Sequence, residues 1–258
     1  MFARYFTAKI KVLVHYRVSL LLELLATGSY LFISLVFWEV VFLNVDTVGG
    51  LSKPAVYFYI ILIEVFHTLY KTFFSSFSKT WRTIIDGTLD KYLILPRTPY
   101  YTLLCEGINP MALSGVVPIG FLLAYWVWVM GADFDALALG AGMVFVTLGV
   151  FIFSLIQFTF SAFAFWVGRS AVLDELSDKL TAVQSVPHVV LPNLIKYALA
   201  VILPFALGPT NAALFYQDAD IQSLGWAALT LTSSLTLWLS LAWWIWTRGL
   251  NRYVSYGG

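Results

Sequence analysis

Long apolar runs, separated by short segments rich in charged and turn-forming residues, follow one another along the chain. A helix that crosses a membrane needs about 20 mostly apolar residues to cover about 30 Å of hydrocarbon. Five runs reach that length, and a shorter one lies among prolines, which indicates a kinked helix or one extended by the preceding segment. The pattern therefore predicts six membrane spans, at Val18–Leu43, Ala55–Phe74, Tyr101–Met130, Ala136–Phe165, Leu194–Leu207 and Gly225–Trp246.

Lysine and arginine residues concentrate on one side of these spans, which we call the basic side. The opposite loops contain only Lys53 among basic residues, together with five aspartates. Because cytoplasmic loops are enriched in lysine and arginine, we expect the basic side and both chain termini to lie in the cytoplasm. The residues that define the basic side are Arg4, Lys9, Lys11, Arg17, Lys79, Arg82, Lys91, Arg97, Arg169, Lys179, Arg248 and Arg252.

Composition agrees with a protein dissolved in lipid. Of the 258 residues, 60% are hydrophobic and 11% are charged, which is too little charge to cover a soluble globule. The spans leave no room for a separate soluble domain, so we expect one transmembrane domain over residues 1–258. A net charge of +1 argues against a nucleic-acid partner, and the single cysteine excludes an internal disulfide.

Three segments on the basic side have amphipathic patterns. Residues 1–17 place apolar residues at helical spacing among basic ones, which predicts a helix in the headgroup region. Residues 75–97 mix six charged positions with Trp81, Ile84 and Leu89, a pattern suited to docking on a soluble partner. Residues 168–187 form a second amphipathic cytoplasmic loop.

The motifs of common enzymes are missing from the sequence. No G-x-x-x-x-G-K-[ST] phosphate loop is present, so we expect that this chain does not bind ATP itself. There is no H-E-x-x-H pair, and the three histidines are scattered over different segments. We therefore expect no catalytic residues, no metal site and no cofactor in this chain.

A row of polar residues marks one face of the second span. Glu64, His67, Thr68 and Lys71 are spaced i, i+3, i+4 and i+7. A charge near the middle of a span costs about 2.5–3.5 kcal/mol, which argues that this face meets protein or water. It either lines a substrate pathway or subunit interface, or holds helices together through a Glu64–His67 hydrogen bond. Glu106, early in the third run, is expected to be solvated, the alternative being a functional kink with Pro110.

Three motifs carry a resemblance to a known family. Residues 86–96 read DGTLDKYLILP, similar to the pattern G-x-L-D-x-x-L-x-x-P, and residues 246–257 end similarly to G-L-x-R-Y-x-S-x-G. Pro187, Pro192, Pro204 and Pro209 repeat a proline rhythm around the fifth span. With these motifs the chain resembles ABC-2 type transporter permeases, in particular a six-span bacterial branch.

The resemblance implies an all-α polytopic membrane protein with six transmembrane helices, an N-terminal interfacial helix and a cytoplasmic coupling helix. It implies a permease subunit in the bacterial inner membrane, paired with a second permease chain and with ABC ATPase subunits that bind ATP and Mg²⁺. The assembly would export an amphipathic compound, lipid or peptide. Residues 75–97 would contact the ATPase, chiefly through Lys79, Arg82, Asp86, Gly87, Asp90 and Lys91. The alternative is an ion-coupled carrier or channel that works alone and uses Glu64 and His67.

Overall fold

The computed structural model describes residues 2–13, 16–96, 98–131, 135–168, 175, 179, 187, 207–218 and 221–254. Helices dominate this part of the chain. They are α1 Phe2–Leu13, α2 Arg17–Phe42, α3 Lys53–Phe73, α4 Thr80–Ile85, α5 Asp90–Leu93, α6 Pro99–Gly107, α7 Val116–Trp128, α8 Ala136–Ala162, α9 Ala164–Val167, α10 Leu207–Asp218 and α11 Ile221–Leu250. Two short 3₁₀ helices lie at Phe77–Lys79 and Pro110–Gly115.

Within the described residues, five helical stretches are long and apolar enough to cross a membrane. They coincide with five of the six spans expected from the sequence, which confirms helical structure there, although the third expected span is not one continuous helix. The remaining expected span, Leu194–Leu207, lies outside the described residues except for its last residue, where α10 begins. The five stretches are Arg17–Phe42, Lys53–Phe73, Pro110–Trp128, Ala136–Val167 and Leu224–Leu250.

Helix α3 is the centre of the bundle. It packs against α7, α8 and α10, while α8 and α10 also pack against α11. Aromatic contacts join these helices: the ring of Phe58 lies 5.5 Å from Trp126 of α7, and Phe66 lies 5.6 Å from Phe153 of α8. Helix α2, in contrast, buries only Leu31 and Trp38, so most of its surface is free for lipid or a partner.

The third span is broken, although the sequence pattern predicted one run over Tyr101–Met130. Helix α6 ends at Gly107, and the chain resumes helical structure at Pro110. Asn109 causes the restart, since its side chain accepts a hydrogen bond from the backbone N–H of Met111 at 3.2 Å and proline suits the first position of a helix. The N–H of Asn109 donates to the carbonyl of Thr72 at 2.8 Å, which ties the break to α3.

A small hairpin on the side opposite the basic one departs from the expected all-helical fold. Strands β1 Thr47–Val48 and β2 Leu51–Ser52 pair antiparallel across Gly49 and Gly50. Both glycines have positive φ, 59° and 85°, as a tight two-residue hairpin turn requires. Gln217 of α10 fixes the hairpin because its side chain accepts from the N–H of Ser52 and donates to the carbonyl of Gly50.

Candidate functional site

The segment 75–96 folds into a compact structure at the basic ends of the spans. The 3₁₀ helix Phe77–Lys79 leads into α4, and a turn at Gly87 leads into α5. Gly87 has φ of +68°, a conformation that side chains with a Cβ disfavour. The N–H of Leu89 reaches back to the carbonyl of Thr83 at 3.0 Å, which closes the turn. The segment is therefore an ordered element with its own hydrogen bonds.

One face of this segment is anchored in the bundle. The apolar side chains of Phe77, Trp81, Ile84, Leu89 and Tyr92 are buried in a cluster with residues of α8 and α11. The ring of Phe77 lies 5.2 Å from Phe158, and the ring of Phe158 lies 5.0 Å from Trp246. The backbone N–H of Trp81 also donates to the hydroxyl of Ser161 at 2.6 Å.

The opposite face carries the charges that the sequence singled out. Asp90 is half-buried, and Gly87 forms the turn. The guanidinium of Arg82 lies 5.2 Å from the centre of the Trp81 ring, so a cation–π contact with this buried residue helps to position Arg82. We call the exposed charged face the coupling surface; it consists of Lys79, Arg82, Asp86 and Lys91.

Tyr253, which follows α11, packs against the apolar cluster that anchors this segment. The ring of Tyr253 lies 6.1 Å from Phe165, and its hydroxyl is near the Asp90 carboxylate without a hydrogen bond of ordinary geometry between them. Burial, and to a smaller extent Asp90, raise the pKa of Tyr253 to about 12. Tyr253 thus remains neutral and packs beside a carboxylate at the edge of the coupling surface.

Glu106 joins the segment to the broken third span. Its carboxylate accepts a hydrogen bond from the Tyr92 hydroxyl at 2.7 Å and lies 3.5 Å from the ammonium of Lys91. Glu106 is exposed, as expected from the sequence, but its carboxylate is also hydrogen-bonded and is therefore not merely solvated. The ammonium of Lys9 in α1 donates to the carbonyl of Glu106 and, at 2.7 Å, to that of Ile108. Burial lowers the pKa of Lys9, against the opposing effect of the Glu106 charge.

We call Lys9, Lys91, Tyr92, Glu106 and the residues of the break the junction. It connects α1, α5 and the third span. The sequence indicated a kink at Glu106 and Pro110 only as an alternative, and it did not reveal the contacts with α1 and α5. The available signal was the Asn109-Pro110 pair inside an apolar run, because a helix break leaves carbonyls that a nearby cation can satisfy. Nothing in the sequence pointed to Lys9 as that cation.

Close backbone packing holds the break in place. A Cβ added to Gly107 would overlap the side chain of Ser76, and one added to Gly115 would lie 2.6 Å from the hydroxyl oxygen of Thr68. Both glycines therefore allow the third span to approach α3 and the start of residues 75–96, which we call the coupling segment, more closely than alanine would.

The polar face of α3 lies largely inside the protein. Glu64 is 5% exposed and Thr68 7% exposed, while His67 is half-buried. Glu64 interacts electrostatically with Lys71 of the same helix and with the phenol of Tyr30 in α2. The role of Glu64, His67 and Thr68 in a pathway or an interface stays a prediction. Among the described residues, no group of three or more His, Cys, Asp or Glu side chains has the geometry of a metal site.

The second amphipathic loop, 168–187, falls mostly outside the described residues. Of its interactions, the structure gives an ion pair between Glu175 and Lys179, with 2.8 Å between the charged atoms. Both side chains are more than 60% exposed, so this pair contributes little to stability. A contact between this loop and an ATPase stays a prediction.

Comparison with known proteins gives one match. Residues 29–257 match the model of a family described as ABC-2 family transporter protein. The matched range includes the coupling surface, the break in the third span and the polar face of α3. No curated protein and no solved structure matches the chain.

Proposed function

The match shows that the chain belongs to the ABC-2 transporter family, and from this premise we propose that it is the membrane-spanning permease subunit of an ATP-binding cassette exporter. A second permease chain, identical or related, and ATPase subunits that bind ATP and Mg²⁺ complete the assembly. The basic side faces the cytoplasm of a bacterial cell. The exported substrate is an amphipathic compound, lipid or peptide.

The observation that carries this proposal is the two-sided construction of the coupling segment. Its apolar face is buried against α8 and α11, and its charged face is exposed. ATP binding shifts a transporter between states only as far as the ATPase subunits contact those states with different free energies. An anchored element with an exposed charged face suits this task, since a displacement of the face must also move the helices behind it.

Two routes lead from the coupling surface into the spans. One runs through the tilted rings of Phe77 and Phe158, whose centres lie 5.2 Å apart, into α8. The other runs through the hydrogen bond between Tyr92 and Glu106 into α6 and the broken third span. Both routes consist of direct contacts, so a movement of the segment by the ATPase would reach two different helices of the bundle.

The first test is purification of the full chain in mild detergent from the cells that naturally produce it. We expect an ATP-hydrolysing subunit to co-purify. Arg82→Glu should weaken this association or separate ATP hydrolysis from movement of an NBD-labelled phospholipid in vesicles, while Arg82→Lys should retain both. Absence of any associated ATPase, or wild-type coupling in both Arg82→Glu and Asp90→Lys, contradicts the proposal.

Sidedness has an independent test. A membrane-impermeant thiol reagent applied to intact cells should label Asp46→Cys, beside the hairpin, and should label Lys79→Cys only after the cells are opened. Native Cys105 is buried and serves as the unlabelled background. Labelling of Lys79→Cys from outside would make contact with a cytoplasmic ATPase impossible. Movement of the labelled lipid by the chain alone, lost in Glu64→Gln, would instead support the ion-coupled carrier.

A further inference from the structure

A cavity of about 850 Å³ lies between α11 and the basic-side end of α8. Phe77, Phe158 and Trp246 line its floor, and all three are buried members of the cluster that anchors the coupling segment. Tyr100 and Ser240 supply the polar groups of its wall. The volume falls in the range of sites that bind small molecules, and the floor is apolar and aromatic.

The cavity opens sideways into the region that the membrane occupies. Four residues of α11 at its rim, Leu237, Leu239, Trp243 and Trp244, are 52%, 57%, 69% and 53% exposed. They belong to the stretch Leu224–Leu250, which is apolar enough to span a bilayer. Exposed leucine and tryptophan in such a stretch suit contact with acyl chains, so the mouth of the cavity is accessible from the lipid phase.

Along one face of α11 the side chains change from apolar to aromatic to basic, in the same order as the acyl chains, interface and phosphate of a phospholipid. Leu237, Leu241, Trp244 and Arg248 are spaced by four, three and four residues, so they share one face of the helix. At 1.5 Å per residue, Arg248 lies about 6 Å beyond Trp244 and about 16 Å beyond Leu237 along the axis. Arg248 is exposed, and no described residue forms an ion pair with it. The face thus offers hydrocarbon, then indole, then a guanidinium.

We propose that this cavity binds a phospholipid with an anionic headgroup, taken from the leaflet on the basic side. The acyl chains lie along Leu237 and Leu241 of the cavity wall, and the phosphate lies beside Arg248. The positive charge of Arg248, one helical turn beyond Trp244 of the rim, complements an anionic lipid surface, whereas an apolar helix of a second chain would leave that charge without a counterion. Lipid binding requires only that the chain lies in a membrane, so its test is independent of ATP-driven export.

The first experiment measures headgroup preference. The purified chain is delipidated in detergent and titrated with phosphatidylglycerol or phosphatidylcholine of identical acyl chains, and bound lipid is counted by native mass spectrometry. One basic residue at an anionic surface corresponds to a preference of about fivefold for phosphatidylglycerol. Arg248→Gln should abolish this preference, and Arg248→Lys should retain it. An undiminished preference in Arg248→Gln overturns the proposed headgroup position.

The second experiment fills the cavity. Ser240→Trp places an indole at the wall and should weaken binding of both lipids by about tenfold or more. Ser233→Trp is the matched control, because Ser233 lies two turns earlier on the same face, is exposed, and like Ser240 donates its hydroxyl to a backbone carbonyl of its own helix. Wild-type lipid binding in Ser240→Trp overturns the proposal. Loss of a chain dimer in Ser240→Trp with unchanged lipid binding also overturns it and assigns the cavity to a second copy.

Discussion

Replacing Gly107 with alanine tests whether the break in the third span is held against the coupling segment as closely as the structure indicates. The new Cβ would overlap the Cβ and Oγ of Ser76 and lie 3.3 Å from its Cα. Since part of the obstacle is backbone, the two segments must separate. Overpacking of this kind costs about 1–3 kcal/mol of unfolding free energy.

The double variant Gly107→Ala/Ser76→Gly makes the prediction specific. Ser76→Gly alone should cost about 0.5–1 kcal/mol through backbone entropy, but it removes the overlapping atoms and leaves only the 3.3 Å approach to the Cα. The double variant should therefore be more stable than the sum of the single effects by about 1 kcal/mol or more. Gly120→Ala, with no atom within 4 Å of the new Cβ, is the control and should be neutral or stabilising.

Reversible unfolding of the purified chain in detergent, followed by circular dichroism, measures these differences. A neutral Gly107→Ala variant would show that α6 does not approach Ser76 so closely. An equally unstable double variant would show that the cost arises elsewhere, for example in the restart of the helix. In either case the close contact between the break and Ser76 would lose its structural basis.

Three further predictions concern the same region. Gly87→Ala should lower the unfolding free energy by about 1–2 kcal/mol, because φ of +68° is strained for alanine, and limited proteolysis should cut the segment 75–96 faster than in wild type. Lys9→Met should lower the unfolding free energy by about 1–2 kcal/mol, since it leaves the carbonyls of the break without their donor. The amide hydrogens of α1 should then exchange faster with solvent. Unchanged exchange in α1 would contradict the contact. The pKa of Tyr253 is raised to about 12, so its stabilising contribution is complete below pH 10 and is lost as pH rises from 10 to 12; Tyr253→Phe should show a smaller loss of stability over that interval.

Features that depend on the local pattern of the chain were accessible from the sequence. Apolar runs located five helices because a membrane span must satisfy its backbone internally and cover a fixed thickness. The spacing of Trp81, Ile84 and Leu89 likewise indicated one apolar face, and these side chains are buried while Arg82 and Asp86 are exposed. In both cases the prediction uses only residues that are close in sequence, from about one helical turn to the length of one span.

Features that depend on distant residues were not accessible. Lys9 and Glu106 are 97 residues apart, and no period of the sequence relates them. In the third span hydropathy alone reads one long helix, because apolar residues continue on both sides of Asn109, so a kink at Pro110 was only an alternative. The hairpin strands have two residues each, too few for an alternating pattern, and only the Gly49-Gly50 pair signalled the turn.

The break in the third span has a physical consequence for the proposed coupling. Ending a helix within an apolar run exposes backbone groups that lipid cannot satisfy, and here Lys9 and Thr72 supply partners from α1 and α3. The third span is therefore stable only together with these neighbours. Glu106, at the same break, also accepts the hydrogen bond from Tyr92. A force on the coupling surface therefore acts on the part of the third span whose backbone groups depend on partners from other helices. An unbroken span would transmit that force only as a rigid rod, whereas a broken one lets α6 move relative to α7.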